Sequence, residues 1–255
     1  MIMKNTKQFT LRTRFKKEIV CEFVVPECKS NKVIIICGGA PSYPSKEELM
    51  FFLVKKGYWV FMPRYRGSWE SDGVFLEKSP HIDVLDIIDS LSYGFLDLWN
   101  NEKYVIKNPK IYLLGSSFGG PAVLLASVHK LVKKVVALFP VVDWCVDSKV
   151  EPFEKFKSFT RRAFGQGYRA NEKNFDKLRN GTFYNPIAHT HKMDKNKIYI
   201  IHAKDDEVVL PSTSIGFCKK IGCKLTLLKK GGHLSTSNVL KSKFYNKIEK
   251  FYNSN

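Results

Sequence analysis

The stretch Gly115-Ser116-Ser117-Phe118-Gly119 sets a serine between two glycines, after an apolar run at 111–114 and ahead of a helix-like segment. A nucleophile on such a strand-to-helix turn sits in strained backbone with its hydroxyl clear of the sheet. The flanking glycines let strand and helix pack closely. Ser117 is therefore the candidate nucleophile; Ser116 lacks the symmetric glycines and is expected to point elsewhere. A serine hydroxyl needs a base, and the base needs an orienting carboxylate. In the chain order serine, acid, histidine, His202-Ala203-Lys204-Asp205-Asp206-Glu207 offers the acid after one apolar run, and Gly231-Gly232-His233 offers the base after the next. Asp206 is preferred because it falls where the loop has turned away from the strand, with Asp205 and Asp143 as alternatives. His202 reads as a residue holding the acid loop by hydrogen bonds, and His81, His129, His189 and His191 as surface or structural histidines.

This chemistry is acyl transfer, and its tetrahedral oxyanion needs preorganised N–H donors. The amide of Phe118, next to the nucleophile and at a helix N-terminus, is one candidate. The other lies in Cys37-Gly38-Gly39-Ala40-Pro41, where small residues let backbone amides approach a substrate; Gly39 is the choice there. Cys37 itself reads as a small buried residue. No metal-ligating cluster and no cofactor-binding loop is visible, and the mechanism requires neither.

The elements that must position these groups follow from hydropathy patterning. Short, β-branched apolar runs recur at 33–37, 58–62, 111–114, 135–139, 198–201 and 225–228. Without polar alternation they suit parallel strands covered on both faces. Helical spacing lies between them: Leu49, Phe52 and Leu53 after Pro44-Ser45, then Val84, Leu85, Ile88 and Leu91, then the almost wholly apolar 121–131, and finally 239–252. Residues 8–26 hold two strand-like runs with no helix between them, which predicts an antiparallel hairpin at the sheet edge. The expected fold class is α/β: a mostly parallel eight-stranded sheet flanked by helices, as one domain over residues 1–255. In such sheets the site lies at the carboxyl ends of the strands. Residues 144–192 break the rhythm with many aromatics and cations, and are expected to form a helical cap over that edge.

An apolar fraction of 44% and an aromatic fraction of 13% can fill a large core and exclude a disordered chain. The net charge of +18 favours anionic partners. The lysines are nevertheless spread along the whole chain, with no basic arm or zinc-finger spacing, so nucleic acid is not the expected partner. Six cysteines without close pairing, an N-terminus without an apolar signal core and no apolar run of membrane-spanning length predict a cytoplasmic protein with reduced thiols and no membrane association. Oligomeric state is left open.

Taken together, these stretches resemble the α/β-hydrolase superfamily, closest to the catalytic domain of the prolyl oligopeptidase and acylaminoacyl-peptidase group and its single-domain esterase relatives. Cys37-Gly38-Gly39-Ala40-Pro41 stands where that group has a His-Gly-Gly-Pro oxyanion loop, with Cys37 in place of the histidine. Pro63-Arg64-Tyr65-Arg66-Gly67-Ser68 is similar to its Tyr-Arg-Gly-Ser turn. The 115–120 elbow, Asn185-Pro186-Ile187, residues 202–209 and Gly232-His233 complete the likeness, which runs from about residue 32 to the C-terminus. The resemblance implies Ser117, Asp206 and His233 as a triad, with oxyanion donors at Gly39 and Phe118. The residues ahead of the core sheet are too few for the group's β-propeller. A carboxylesterase-like serine hydrolase acting on a small-molecule acyl ester is therefore expected ahead of an aminopeptidase, acylpeptide hydrolase or thioesterase. A basic binding protein on an inactive hydrolase shell is the non-enzyme alternative.

Overall fold

The computed structural model describes residues 9–254. Its strands are β1 (Leu11–Phe15), β2 (Ile19–Val24), β3 (Lys32–Cys37), β4 (Trp59–Pro63), β5 (Phe95–Leu96), β6 (Lys103–Tyr104), β7 (Lys110–Ser116), β8 (Val132–Leu138), β9 (Ile198–Ala203) and β10 (Lys224–Leu228). Eight of them form one sheet in the order β1-β2-β4-β3-β7-β8-β9-β10, while β5 and β6 make a separate small hairpin. β1 and β2 pair antiparallel, as do β2 and β4. Within this sheet the pairings β4-β3, β3-β7, β7-β8, β8-β9 and β9-β10 are all parallel. This is the mostly parallel eight-stranded sheet expected from the apolar runs, with Leu11–Phe15 and Ile19–Val24 supplying the edge hairpin; Gln8, where that segment was expected to begin, lies outside the described residues.

The absence of polar alternation has a direct structural cause. Side chains alternate across a strand, and here both faces are covered. Val33, Ile35 and Cys37 of β3 enter one core, while Ile34 and Ile36 enter the other. β7 divides in the same way, Ile111 and Leu113 against Tyr112 and Leu114. The helices are α1 (Glu47–Val54), α2 (His81–Ser90), α3 (Gly119–Ala126), α4 (Phe153–Phe159), α5 (Glu172–Asp176), α6 (Pro211–Ile221) and α7 (Ser242–Tyr252). Buried residues of α1 and α7 join the core on one face, and those of α2, α3 and α6 the core on the other.

Two helical segments differ from their patterns. The apolar stretch at 121–131 is helical only to Ala126, because the chain must turn through His129 before entering β8. The 239–252 stretch is split at Lys241 into a 3-10 turn, Thr236–Leu240, and α7. The 144–192 insertion contains α4, a π-helical turn (Thr160–Phe164), α5 and several 3-10 turns. It is wound against the loop after β4: Tyr168 bridges to Ser68, Arg169 N donates to Gly67 O at 2.7 Å, and Phe75 N donates to Arg169 O at 2.7 Å.

That loop is anchored by charge. Arg64 bonds Glu22 and Glu70. Arg66 reaches Glu18 in the β1–β2 turn and both Asp83 and Asp86 in α2. Arg66 and Asp83 are both buried, so removing one leaves an uncompensated charge in the interior. Arg66→Met should lower the unfolding free energy by about 3–5 kcal/mol, read from urea unfolding at neutral pH. A loss below about 1 kcal/mol, the range of exposed pairs, would mean that Asp83 is solvated and the anchor is not needed.

Candidate active site

β7 ends at Ser116 and α3 begins at Gly119, so Ser117 occupies the turn between them. Its φ is +50°, a left-handed backbone rare for a side-chain-bearing residue. The turn is pinned on both sides: Ser117 N donates to Leu138 O at 3.1 Å, and its carbonyl accepts from Gly120 N at 2.9 Å and Val141 N at 3.2 Å. The flanking glycines are required by close approach. A Cβ on Gly115 would collide with the Gly119 carbonyl oxygen, and one on Gly119 with the Cys37 carbonyl oxygen. Ser116 is buried in the strand, whereas Ser117 is partly exposed.

Asp206 lies on the loop after β9 and His233 on the loop after β10, each past the carboxyl end of its strand. His233 Nδ1 lies 2.8 Å from Asp206 Oδ2. An ionised carboxylate only accepts, so Nδ1 carries a proton that it donates to Asp206. Asp206 is buried and its other contacts are donors: Val208 N and Val209 N at 3.0 Å each, and His202 Nε2 at 3.1 Å. Burial alone would raise its pKa. The hydrogen bonds from His202 and His233 outweigh burial and hold the carboxyl well below the usual carboxylate range. His202 is wholly buried beneath, its Nδ1 at 2.9 Å from Ser214 Oγ, and so holds the acid loop. Phe139 packs edge-on against both imidazoles.

The alternative acids are otherwise engaged. Asp205 accepts from Gly231 N at 3.1 Å and Gly232 N at 2.9 Å, so it tethers the histidine loop. Those two amide bonds, that of Gly232 first, lower its pKa. Asp143 Oδ1 accepts from Cys145 N and Asn185 Nδ2, at the root of the insertion. His81, His129 and His189 are bonded instead to Ser79, Asp89 and the Thr182 carbonyl.

Ser117, His233, Gly39 and Ser116 line one cleft of about 450 Å3. Among the described residues Ser117 Oγ and His233 are not hydrogen-bonded to one another, although both face the same cleft. Gly39 lies against Ser117, since a Cβ built on it would sit 3.4 Å from Ser117 Cβ and 3.9 Å from Oγ. The loop is shaped by Ser42 Oγ donating to Gly39 O at 2.6 Å and Tyr65 OH donating to Gly38 O at 3.2 Å. The amides of Gly39 and Phe118 make no hydrogen bond among the described residues. Tyr184 OH donates to Phe118 O at 2.6 Å and so fixes the peptide that follows Phe118. Cys37 is buried, which pushes its thiol pKa up to about 12.

A recess of about 60 Å3 adjoins Ser117 and Phe118, walled by Trp144, Phe153, Phe156, Val208 and Leu210. Its charged lining residues are Asp143, Asp147 and Glu151. No acidic cluster in the insertion is evident in the sequence, yet the fold gathers these three in the recess beside Ser117. Lys46, whose Nζ donates to Ser237 Oγ at 3.1 Å, also lines the cleft and had no sequence signal. Among the described residues no helix is long and apolar enough to cross a membrane.

A model of the prolyl oligopeptidase family matches residues 44–255. No curated protein sequence matches the chain. Among solved structures it is similar to an acylaminoacyl peptidase from Pyrococcus horikoshii, at 18% identity and a TM-score of 0.62, covering 98% of this chain and 40% of that one. It is also similar to an esterase from Pyrococcus furiosus, at 17% identity and a TM-score of 0.69, covering 96% of this chain and 90% of that one. The chain thus spans less than half the length of the peptidase and nearly all of the esterase, and the likeness establishes the α/β-hydrolase fold.

Because the Asp206 pKa is depressed in the folded state, its stabilisation is fully present above the unfolded carboxyl pKa and lost as pH falls through the folded value. Asp206→Asn should therefore be less stable than wild type at neutral pH, with the gap shrinking below about pH 4. Urea unfolding across pH tests this. A gap that stayed constant into acid would mean that the ionised carboxylate is not what the two imidazoles stabilise.

Proposed function

The chain belongs to the prolyl oligopeptidase family of serine hydrolases, and from that premise we propose that it cleaves small acyl esters through an acyl-enzyme on Ser117. The observation that carries this reading is the meeting, in one cleft, of a serine at φ +50° and a histidine whose far nitrogen is held by a buried carboxylate. Ser117 Oγ attacks the ester carbonyl carbon while His233 Nε2 takes its proton. The imidazolium so formed is stabilised by Asp206, and the oxyanion is received by the Gly39 and Phe118 amides. Collapse breaks the bond to the leaving alcohol, which takes the proton from His233. Water then repeats the sequence on the acyl-enzyme, releasing the acid and free Ser117. The 144–192 insertion acts as a cap, its Trp144, Phe153 and Phe156 forming the wall of the acyl recess.

The size of that recess bears on the substrate. A cavity of about 150 Å3 holds a benzene ring, so about 60 Å3 suits an acetyl to butyryl group better than a long chain. Ser117→Ala should lower kcat for p-nitrophenyl acetate by about 10^4-fold or more without altering the far-ultraviolet spectrum, and a fluorophosphonate should label the wild type at Ser117 alone. Among p-nitrophenyl esters, kcat/KM should fall from butyrate to octanoate. Turnover by Ser117→Ala at the wild-type rate would remove the nucleophile assignment; a rising series would remove the acyl-recess reading.

A second reading, hydrolysis of aminoacyl esters or amides, is favoured by Glu151. In a chain of net charge +18 this carboxylate lines both the recess and the open cleft beside Ser117. Its side chain has no hydrogen bond or ion pair among the described residues. Burial raises its pKa, with His233 and Lys155 pulling it back. A substrate ammonium group would meet it. Glu151→Gln should then reduce kcat/KM for an aminoacyl p-nitroanilide or ester by about tenfold, the scale of one charged contact, and leave p-nitrophenyl acetate unchanged. Equal effects on both substrates would mean that Glu151 supports the fold of the cleft and does not read substrate charge.

A further inference from the structure

Behind the loop that presents His233, a second cavity of about 320 Å3 opens between β9, β10 and α7. It lies at the lower end of the volume range of small-molecule sites. Its apolar surface comes from Ile201, Leu228, Leu234 and Phe244. Ile201 and Phe244 are buried, but Leu228 and Leu234 are only partly covered by the chain itself.

The polar side chains of this cavity are all cations: Lys230, Lys241, Lys243 and Lys247. Among the described residues none of the four forms a salt bridge or a side-chain hydrogen bond. Lys243 lies over the Phe244 ring, 5.5 Å from its centroid. Lys230 has Asp205 within electrostatic reach, but that carboxylate is bonded to the Gly231 and Gly232 amides. Four like charges around one opening repel each other, and the uncovered leucine surface beneath them is in water. An alkyl chain would relieve the second cost and an anionic head the first.

We propose that this cavity is a binding site for a single-chain amphipathic anion of the fatty-carboxylate class, with the chain against Leu228, Leu234 and Phe244 and the head among the lysines. The volume suits a single alkyl chain, and no carboxylate lines the opening to repel the head. The site is separate from the acyl recess. Leu234, next to His233, lines this cavity and the cleft of the nucleophile, so a bound chain would touch the wall that positions the base.

Calorimetric titration of the full chain with decanoate, below its aggregation concentration, tests the proposal without reference to turnover, so the result stands whether or not Ser117 is the nucleophile. One equivalent should bind, more weakly at high salt, and the double variant Lys243→Glu/Lys247→Glu should weaken it by about tenfold. Decanol, with the same chain and no charge, should be insensitive to that variant. Lys46→Gln, whose ammonium lies in the other cleft, should bind decanoate as wild type does. Absence of saturable binding would overturn the proposal, as would undiminished binding by the double variant. Loss of binding in Lys46→Gln would place the anion in the nucleophile's cleft and overturn it equally.

Discussion

Ser117 keeps a backbone conformation that costs on the order of 1–3 kcal/mol in isolation, and the arrangement around it exists to hold it there. β3, β7 and α3 approach so closely at Gly115 and Gly119 that the Cys37 and Gly119 carbonyls occupy the space of absent side chains. With the strand and helix locked at that distance, the turn between them has one way to close. The bonds to Leu138, Gly120 and Val141 complete it. Everything else in the site is arranged relative to this point: the Gly38-Gly39 loop leaves β3 beside it, and the acid and histidine loops leave β9 and β10 on the same edge of the sheet.

A second layer of the arrangement is electrostatic. Asp206 is buried but receives four donors, and so remains an anion in a place where an unpaired carboxyl would be neutral. His202 does this from below and is itself fixed by Ser214. Asp205, one residue away, has a different task, holding the Gly-Gly segment from which His233 extends. Adjacent carboxylates thus divide the work of orienting the His233 ring and anchoring its loop. Around them the sign of charge inverts: a strongly basic chain presents acidic groups to the recess beside Ser117, and keeps an all-lysine rim on the cavity behind the histidine loop.

Much of the fold is written in local patterns. The continuous apolar runs at 33–37 and 111–114 are strands because a strand between two helical layers has no solvent face to mark with polar residues. The edge hairpin was legible for the complementary reason, two runs with no helix between them. The elbow glycines, the strand-end position of Asp206 and the Gly-Gly before His233 are short-range signals tied to one backbone geometry each. Segment ends were less legible: the helix beginning at Gly119 stops at Ala126 because β8 must begin at Val132, and hydropathy does not record that constraint.

The sequence by itself determined the chain order of the eight strands in the main sheet and the elbow, and singled out the candidate acid and base, because each depends on residues within a few positions of one another; the small hairpin of β5 and β6 was not legible in it. Only the tertiary structure decided which carboxylate faces His233, that Asp205 binds the Gly231 and Gly232 amides, and that Asp143, Asp147, Glu151 and Lys46 share the surroundings of Ser117. These relations join residues from separate loops and strand ends. Whether such groups meet depends on sheet order and on the path of the insertion, which no local periodicity encodes. For Ser117 the two levels coincide: its neighbours in sequence allow the turn, and the packing of three elements compels it.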